Sequence, residues 1–451
     1  MNKIHSHILG GAVVLSGVLV SPLAAAQDAP AAPAPAAPPA AEPAPPAAAA
    51  PAASPAAAPP PTEPAPAPAE APAPEAPPAA APAEESPFKV TVGAGIRAGV
   101  RIHNPNTPDD DGNFTKLNDQ YLDELNAELR VSGKVTDIIG WTANLTVDGR
   151  TRAMATGGPI AFQAQALDLI GQLDFMDELH VWLGRMLTPS DRSNFSGAWF
   201  MAPWNYSGII DGYYGPRGTE EVGREVGATV WGDIGKGKFK YYAAMMDLDN
   251  NIGPGGGFAG QSPLLSLRAS YAFMGNEPGF YGSSTYYGGQ DIVALAAAFQ
   301  YQKDFALSGG LDAMGAPLPD VKDNLVEFNA DLLAELKTGA GTPGVEAAFY
   351  YETGDTRSFD NFFYVVPGFT TNEVLPAKGK LNATVRFQMV KAGKDTANER
   401  TAMAIEPSVA YLFKDYFAKL QLTYNYLSAK FEDDRPDWKQ QFIQLGFQIQ
   451  Q

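Results

Sequence analysis

The chain has 451 residues, a formal net charge of −18 and no cysteine. The lack of cysteine excludes disulfide bonds and thiolate metal sites, and the acidic balance argues against nucleic acid as a partner. After residue 26, no window holds the roughly 18 uninterrupted apolar residues that a transmembrane helix needs.

The N-terminal segment is typical of a secretory signal peptide. Lys3 precedes an apolar run over residues 8–20, and Ala24 and Ala26 form an Ala-x-Ala cleavage site. The run is shorter than the ~20 residues of a spanning helix, which disfavours the alternative of a membrane anchor. We therefore expect residues 1–26 to direct export through the secretory pathway and to be removed.

Alanine and proline dominate residues 27–87. Proline at this density prevents helix and sheet hydrogen bonding, and alanine offers too little apolar area for a core. The segment is predicted to be a disordered, partly polyproline II tether that reaches at most ~190 Å. Two interpretations stay open: a spacer that touches the cell wall, or an inert solvated tail.

From residue 88 onward, apolar and polar residues alternate in long runs. In residues 89–103, KVTVGAGIRAGVRIH, the even positions from Val90 to Ile102 are apolar and the odd positions are polar or glycine. A period of two is typical of a strand with one apolar and one polar face. At ~3.3 Å per residue the run spans roughly 50 Å, far beyond the ~5–6 residues of most globular strands. The pattern predicts sixteen strands, at 88–103, 120–136, 138–150, 161–175, 179–188, 223–233, 238–248, 263–274, 290–302, 323–337, 344–353, 361–375, 380–391, 400–412, 416–428 and 439–450.

Two features favour an outer-membrane barrel over a soluble β-sandwich. The connectors alternate between short ones, such as 136–137 and 413–416, and long ones, such as 189–222. Aromatic residues also gather beside the short turns, as an aromatic girdle at a membrane interface requires. We therefore predict an all-β fold over residues 88–451, a 16-stranded antiparallel transmembrane β-barrel. An even strand number puts both ends on the periplasmic side, and sixteen strands leave room for an aqueous channel.

The longest connector, residues 189–222, is expected to fold inward after the fifth strand and to narrow the channel. It is rich in glycine and aromatic residues, including Trp199 and Trp204. Large aromatic side chains suit packing against a barrel wall better than full exposure. The alternative is an exposed surface loop.

Inward positions of the first three strands place several arginines on one stretch of wall. If acidic residues of the inward loop face them, the constriction has a transverse field that orients polar solutes. The alternative is that salt bridges with inward acids only hold the wall together. Other inward faces mix both signs, so strong ion selectivity does not follow. The candidate pore-lining or constriction residues are Arg97, Arg101, Arg130, Arg150, Asp191, Arg192, Asp211, Arg217, Glu220, Glu221, Arg268 and Arg386.

No catalytic, cofactor or metal site is expected. His103 and His180 lie near opposite ends of the predicted barrel and cannot act together, which disfavours an enzyme. The stretch DLDNNIG at 247–253 departs from a calcium loop in the position of its glycine. DDDGN at 109–113 is interpreted as a solvated acidic loop rather than a divalent-cation site.

The stretch WLGRMLTPSDRSNFSG at 182–197 resembles the strand exit that leads into the constriction loop of outer-membrane porins. Together with PGFYGSSTYYGGQDIVALAAAFQYQ at 278–302 and GKLNATVRFQ at 379–388, it is similar to the phosphate-selective porin family. The resemblance implies a trimeric, sixteen-stranded channel for small anions or general hydrophilic solutes. The positions that match the family's motifs are Gly184, Arg185, Pro189 and the inward Arg386.

These observations predict a porin of the Gram-negative outer membrane, with a water-filled channel for passive diffusion of small hydrophilic solutes and ions, including anions such as phosphate. The expected partners are outer-membrane lipid, lipopolysaccharide, two further copies of the chain in a homotrimer, small polar solutes, and peptidoglycan through residues 27–87. Nucleic acid is not an expected partner. The alternative function is a structural barrel that anchors the outer membrane to the cell wall through the same tail.

Overall fold

The computed structural model describes residues 89–108, 114–116, 119–150, 161–206, 223–247, 262–307, 321–354, 359–374, 379–392, 399–432 and 437–451. The predicted signal peptide and tether lie outside these ranges and stay predictions. The acidic motif at 109–113 and all but the first residue of the motif at 247–253 also lie outside them.

Strands make up most of the described chain, with one short helix, α1 (Arg192–Ser196), and one 3-10 turn (Ala198–Phe200). The strands are β1 (Lys89–Pro108), β2 (Phe114–Lys116), β3 (Asp119–Lys134), β4 (Ile139–Arg150), β5 (Ala161–Met176), β6 (Leu179–Leu187), β7 (Arg224–Ile234), β8 (Phe239–Asp247), β9 (Leu264–Met274), β10 (Ile292–Leu307), β11 (Val321–Glu335), β12 (Gly341–Thr353), β13 (Asn361–Thr371), β14 (Lys380–Ala392), β15 (Arg400–Lys414), β16 (Ala418–Phe431) and β17 (Trp438–Gln450). Within the described ranges, no helix is long and apolar enough to cross a membrane.

The long strands form one closed antiparallel sheet. Each pairs with its neighbours in the chain, and β1 also pairs with β17, which closes the barrel. Along this seam Gly95 lies opposite Gln450, and Arg101 lies opposite Gln444. Among the described residues, the short β2 pairs with the outer end of β1, so the barrel wall consists of sixteen strands. The predicted 16-stranded antiparallel barrel is confirmed.

The two faces of the wall differ in polarity as the period-two pattern predicts. On β1 the even positions point outward, where Val92 is 63% exposed and Ile96 is 48% exposed. The odd positions face the interior, where Arg97 and Arg101 are buried. A lysine or arginine on the lipid-facing surface costs about 2–4 kcal/mol at the bilayer midplane. An apolar exterior around a polar interior therefore suits a wall that stands in lipid.

Tight turns gather at one end of the barrel, called here the short-turn end. In the β7–β8 turn, Gly235, Lys236 and Gly237 all adopt positive φ angles, of 69°, 57° and 87°. Glycine adopts this conformation at little cost, which explains the two glycines. The first strand of the barrel and the C-terminal residue meet near this rim, since Ala94 and Gln451 exchange backbone hydrogen bonds of 3.1 and 2.9 Å.

Aromatic side chains beside the short turns point outward. Phe175, Phe273 and Phe413 are all exposed. Tyr271 meets Phe273 edge to face, and Tyr411 meets Phe413 in the same way, with ring centroids 4.9 and 4.8 Å apart. This arrangement is what the predicted aromatic girdle requires at a membrane interface.

One connector at the short-turn end is long. Residues 275–291 join β9 to β10 and are called here the inner connector. Its Glu277, Phe280 and Tyr287 side chains are buried. The segment therefore folds into the barrel from the end opposite to the long loops, an insertion that the strand pattern did not predict.

Candidate pore constriction

The connector between β6 and β7 folds into the barrel, which confirms the predicted inward-folded loop. Its described part, residues 188–206, is called here the inward loop. The Asp191 carboxylate accepts a hydrogen bond from the Asn194 backbone N–H at 3.1 Å and so caps the start of α1. All residues of α1 are buried. Four predicted constriction residues lie outside the described ranges: Asp211, Arg217, Glu220 and Glu221.

Beyond α1, two indole rings of the inward loop lie where the wall lacks side chains. A Cβ at Gly95 would come within 2.7 Å of the Trp199 ring, and a Cβ at Gly446 would come within 2.5 Å of the Trp204 ring. Glycine at these two wall positions therefore lets the loop approach the strands of the β1–β17 seam. Without a side chain at either position, the indoles fill the space against the backbone.

Cationic side chains of the wall hold the backbone of the inward loop. They donate to its carbonyl oxygens in three pairs: Arg97 to Trp204 at 2.7 Å, Lys419 to Met201 at 2.8 Å, and Arg386 to Asn205 at 2.7 Å. A hydrogen bond from a charged donor contributes about 1.5–3 kcal/mol. These charges therefore serve to position the loop across the interior.

The three predicted arginines of the first strands lie on neighbouring strands, β1 and β3, but their surroundings differ. The Arg97 guanidinium lies 4.3 Å from the centroid of the Trp204 ring, and that of Arg101 lies 4.0 Å from Phe442. Both contacts are cation–π interactions that cover the charge. The Arg130 side chain, in contrast, keeps 24% of its surface exposed. Arg130 is therefore the member of this trio that meets water.

Two further predicted arginines, on β9 and β14, are buried in ion pairs. Arg268 lies 2.6 Å from Asp331, and Arg386 lies 2.9 Å from Glu406. Their positive charges are balanced within the wall. The last predicted arginine, Arg150, lies at the end of β4.

Arg192, the first residue of α1, joins the inward loop to the inner connector. Its guanidinium binds both oxygens of Glu277 at 2.5 and 2.9 Å, and its Nε lies 3.2 Å from Asp331. Burial by itself would raise the pKa of Glu277, but the charge of Arg192 outweighs it and lowers that pKa to about 2. The Glu277 carboxylate is therefore ionised and paired at neutral pH.

The inner connector is bound to the barrel wall at several points. The Tyr242 hydroxyl of β8 donates to the Phe280 carbonyl at 2.7 Å. The Glu335 carboxylate of β11 accepts a hydrogen bond from the Tyr286 backbone N–H at 3.1 Å and another from the Thr285 hydroxyl. These bonds satisfy backbone groups that would otherwise be buried without partners.

The inner connector also contacts the inward loop away from the Arg192 ion pair. The Tyr287 hydroxyl donates to the Met201 carbonyl at 3.2 Å, and the Phe280 ring stacks on Phe195 with centroids 5.2 Å apart. Sequence reasoning missed this meeting of two insertions. The available signal was length, because the connector is long and tyrosine-rich at an end where the other turns are short.

The barrel resembles solved outer-membrane proteins at low sequence identity. A loop-deletion mutant of OmpT, an outer membrane protein of Vibrio cholerae, is 15% identical with a TM-score of 0.51, and the match covers 81% of this chain and 100% of that chain. OprB of Pseudomonas putida is 10% identical with a TM-score of 0.50, covering 80% and 94%. The outer membrane channel DcaP of Acinetobacter baumannii is 12% identical with a TM-score of 0.48, covering 82% and 99%. No family model and no curated protein matches the sequence. The likeness shows the fold, a porin-type outer-membrane barrel.

Proposed function

We propose that this protein is a porin of the Gram-negative outer membrane through which small hydrophilic solutes and ions diffuse passively. The observation that carries the proposal is the polarity of the wall, apolar outside and polar inside, combined with a loop that crosses the interior. A wall of this kind stands in lipid, and sixteen strands enclose enough space for an aqueous passage. The inserted loop then sets the size of the solutes that pass.

We propose weak ion selectivity, with anions such as phosphate among the solutes rather than the only ones. A strongly anion-selective channel needs cations along its path whose charge is not balanced nearby. Here the buried Arg192, Arg268 and Arg386 each pair with a carboxylate. The resemblance to the phosphate-selective porin family thus supports the channel more than the selectivity.

Conductance of the purified mature chain in planar bilayers tests the function. We expect stepwise current increases of uniform size and, in a salt gradient, a reversal potential that corresponds to a permeability ratio within about threefold of unity. A reversal potential near the limit for a perfect anion channel would contradict weak selectivity. A correctly folded protein that inserts and stays electrically silent would overturn the channel itself.

We further propose that residues 27–87 tether a homotrimeric barrel to peptidoglycan. The support is compositional, since an alanine- and proline-rich segment is extended and reaches far. Deleting these residues should leave conductance unchanged and abolish co-sedimentation with peptidoglycan. A full-length protein that binds peptidoglycan but conducts nothing would favour the alternative of a structural anchor.

A further inference from the structure

The inner connector is bound along almost half of the barrel wall. On β7 the Asp233 carboxylate accepts a hydrogen bond from the Gly279 backbone N–H at 2.9 Å, and on β14 the Lys380 ammonium donates to the Tyr287 carbonyl at 3.0 Å. Strands between these two contribute further bonds, from Tyr242 of β8, Glu335 of β11 and Glu346 of β12. Since β14 follows β7 by seven places in a wall of sixteen strands, the connector is part of the filling of the interior and not a surface turn.

The chain around Tyr281 is fixed at three backbone carbonyls within four residues. Side chains that are themselves buried donate to these carbonyls: Tyr242 to Phe280 at 2.7 Å, Lys240 to Tyr281 at 3.2 Å, and Arg192 to Ser283 at 2.9 Å. Two of the three donors are charged, and hydrogen bonds from charged donors are the strong ones, above all away from water. The backbone therefore holds the Tyr281 side chain in one direction.

The Tyr281 side chain points into the barrel. Its ring meets the Phe280 ring edge to face at 5.1 Å and lies 6.4 Å from the ring of Trp182, an inward residue of β6. Its hydroxyl interacts electrostatically with the Asp168–Arg224 ion pair, in which the nitrogen–oxygen distance is 2.9 Å. Asp168 lies eight residues before the short-turn end of β5, or roughly 26 Å along the strand. The Tyr281 ring therefore lies well inside the barrel and not at its rim.

Tyr281 differs from the aromatic residues around it in its contact with water. Phe280 and Trp182 are 3% and 7% exposed, whereas Tyr281 is 38% exposed. Because the Tyr281 ring lies inside the barrel, its exposed face meets the barrel interior. Tyr206 of the inward loop is half-buried and interacts electrostatically with the same Arg224. One tyrosine from each insertion thus lies beside a single ion pair of the wall.

We infer that the inner connector is a second constricting element, which enters from the short-turn end and carries Tyr281 as its size-determining residue. This inference rests on the proposed channel function. The tyrosine ring is rigid and its backbone is fixed, so it narrows the interior by a constant amount, and the size limit for solutes is set jointly with the inward loop. A tyrosine side chain is uncharged at neutral pH. Tyr281 therefore limits the size of a polar solute without selecting the sign of an ion.

The natural absence of cysteine allows this position to be emptied and then refilled. Tyr281→Cys removes the ring, and a methanethiosulfonate reagent that carries a benzyl group attaches a ring of similar size to the thiol. In planar bilayers, we expect each Tyr281→Cys channel to conduct at least ~1.3-fold more than the wild type, and the reagent to return the conductance to within about a tenth of the wild-type value. The permeability ratio of potassium to chloride should stay the same in all three forms, because no charge changes.

Tyr271→Cys is the matched control on the outer surface of β9, where Tyr271 is 42% exposed, and its conductance should not change before or after treatment. Tyr281→Trp enlarges the ring and should lower the conductance, which tests the inference even where the cysteine variant does not fold. Equal conductance of the wild type and the Tyr281 variants, with and without reagent, would overturn the second constricting element in a protein that conducts. A wild type that inserts and never conducts would instead overturn the proposed function, so the two failures are distinguishable.

Discussion

Arg192 and Glu277 form a two-pronged ion pair that joins two chain segments inserted into the barrel from opposite ends. The nitrogen–oxygen distances are 2.5 and 2.9 Å, and both side chains are buried. The pair lies 85 residues apart in sequence. It ties the inward loop, which starts at the long-loop end, to the inner connector, which starts at the short-turn end. Because this buried ion pair joins the two insertions, removing either Arg192 or Glu277 is expected to loosen the packing of both segments inside the barrel.

Replacing Glu277 with alanine should destabilise the barrel interior. Breaking a buried ion pair by removing one partner costs about 3–5 kcal/mol, and we expect the lower end because Asp331 still faces Arg192. The measurement is the urea midpoint of unfolding, followed by tryptophan fluorescence in lipid vesicles. Glu178→Ala, at an exposed acid of the β5–β6 turn, is the control and should leave the midpoint unchanged. Equal midpoints for both variants would contradict the role of the pair.

The same pair should give a specific pH dependence. The pKa of Glu277 is lowered from its ordinary value of 4.5 to about 2 in the folded protein, where burial opposes and Arg192 favours the ionised form. Its contribution to stability is therefore complete above pH 4.5 and is lost as the pH falls towards 2. The difference in unfolding midpoint between wild type and Glu277→Gln should stay constant from pH 7 to about 5 and shrink as the pH approaches 2. A difference that already disappears at pH 6 would contradict this titration.

Adding a methyl group at Gly95 should displace the inward loop. The new Cβ would lie 2.7 Å from the Trp199 ring, and overpacking of this kind costs about 1–3 kcal/mol. We expect Gly95→Ala to lower the unfolding midpoint and to increase the current noise of single channels. Gly171→Ala is the matched control on β5, because its Cβ would meet nothing closer than 3.8 Å. Identical noise in the two variants would show that Trp199 does not depend on this gap.

Replacing an exposed arginine should change ion selectivity more than replacing a buried one. Arg130→Ala removes a partly exposed cation from the barrel interior, and we expect the permeability ratio to shift about twofold or more towards cations. Arg386→Ala removes a buried cation paired with Glu406 and should lower stability with a smaller effect on the permeability ratio. Reversal potentials in a potassium chloride gradient measure the permeability ratio of each variant. A larger shift for Arg386→Ala than for Arg130→Ala would contradict this distinction between exposed and buried charges.

Much of the wall could be predicted from the sequence because strand pleating is local. The alternation from Val90 to Ile102 identifies the outward face of β1, and its repetition gives sixteen wall strands. The length and aromatic content of the connector after the fifth strand also indicated its inward course. In each case the signal lies within a few neighbouring residues and follows from a period of two.

The filling of the barrel was decided only by the tertiary structure. Arg97 and Arg130 both lie at inward positions of the apolar/polar alternation, yet Arg97 is buried beneath Trp204 and Arg130 meets water. Trp204 lies 107 residues beyond Arg97, and Glu277 lies 85 residues beyond Arg192. Periodicity determines which face of a strand a side chain occupies. It does not determine what distant segment covers that face, because this depends on contacts that form only when the closed sheet brings the two insertions together.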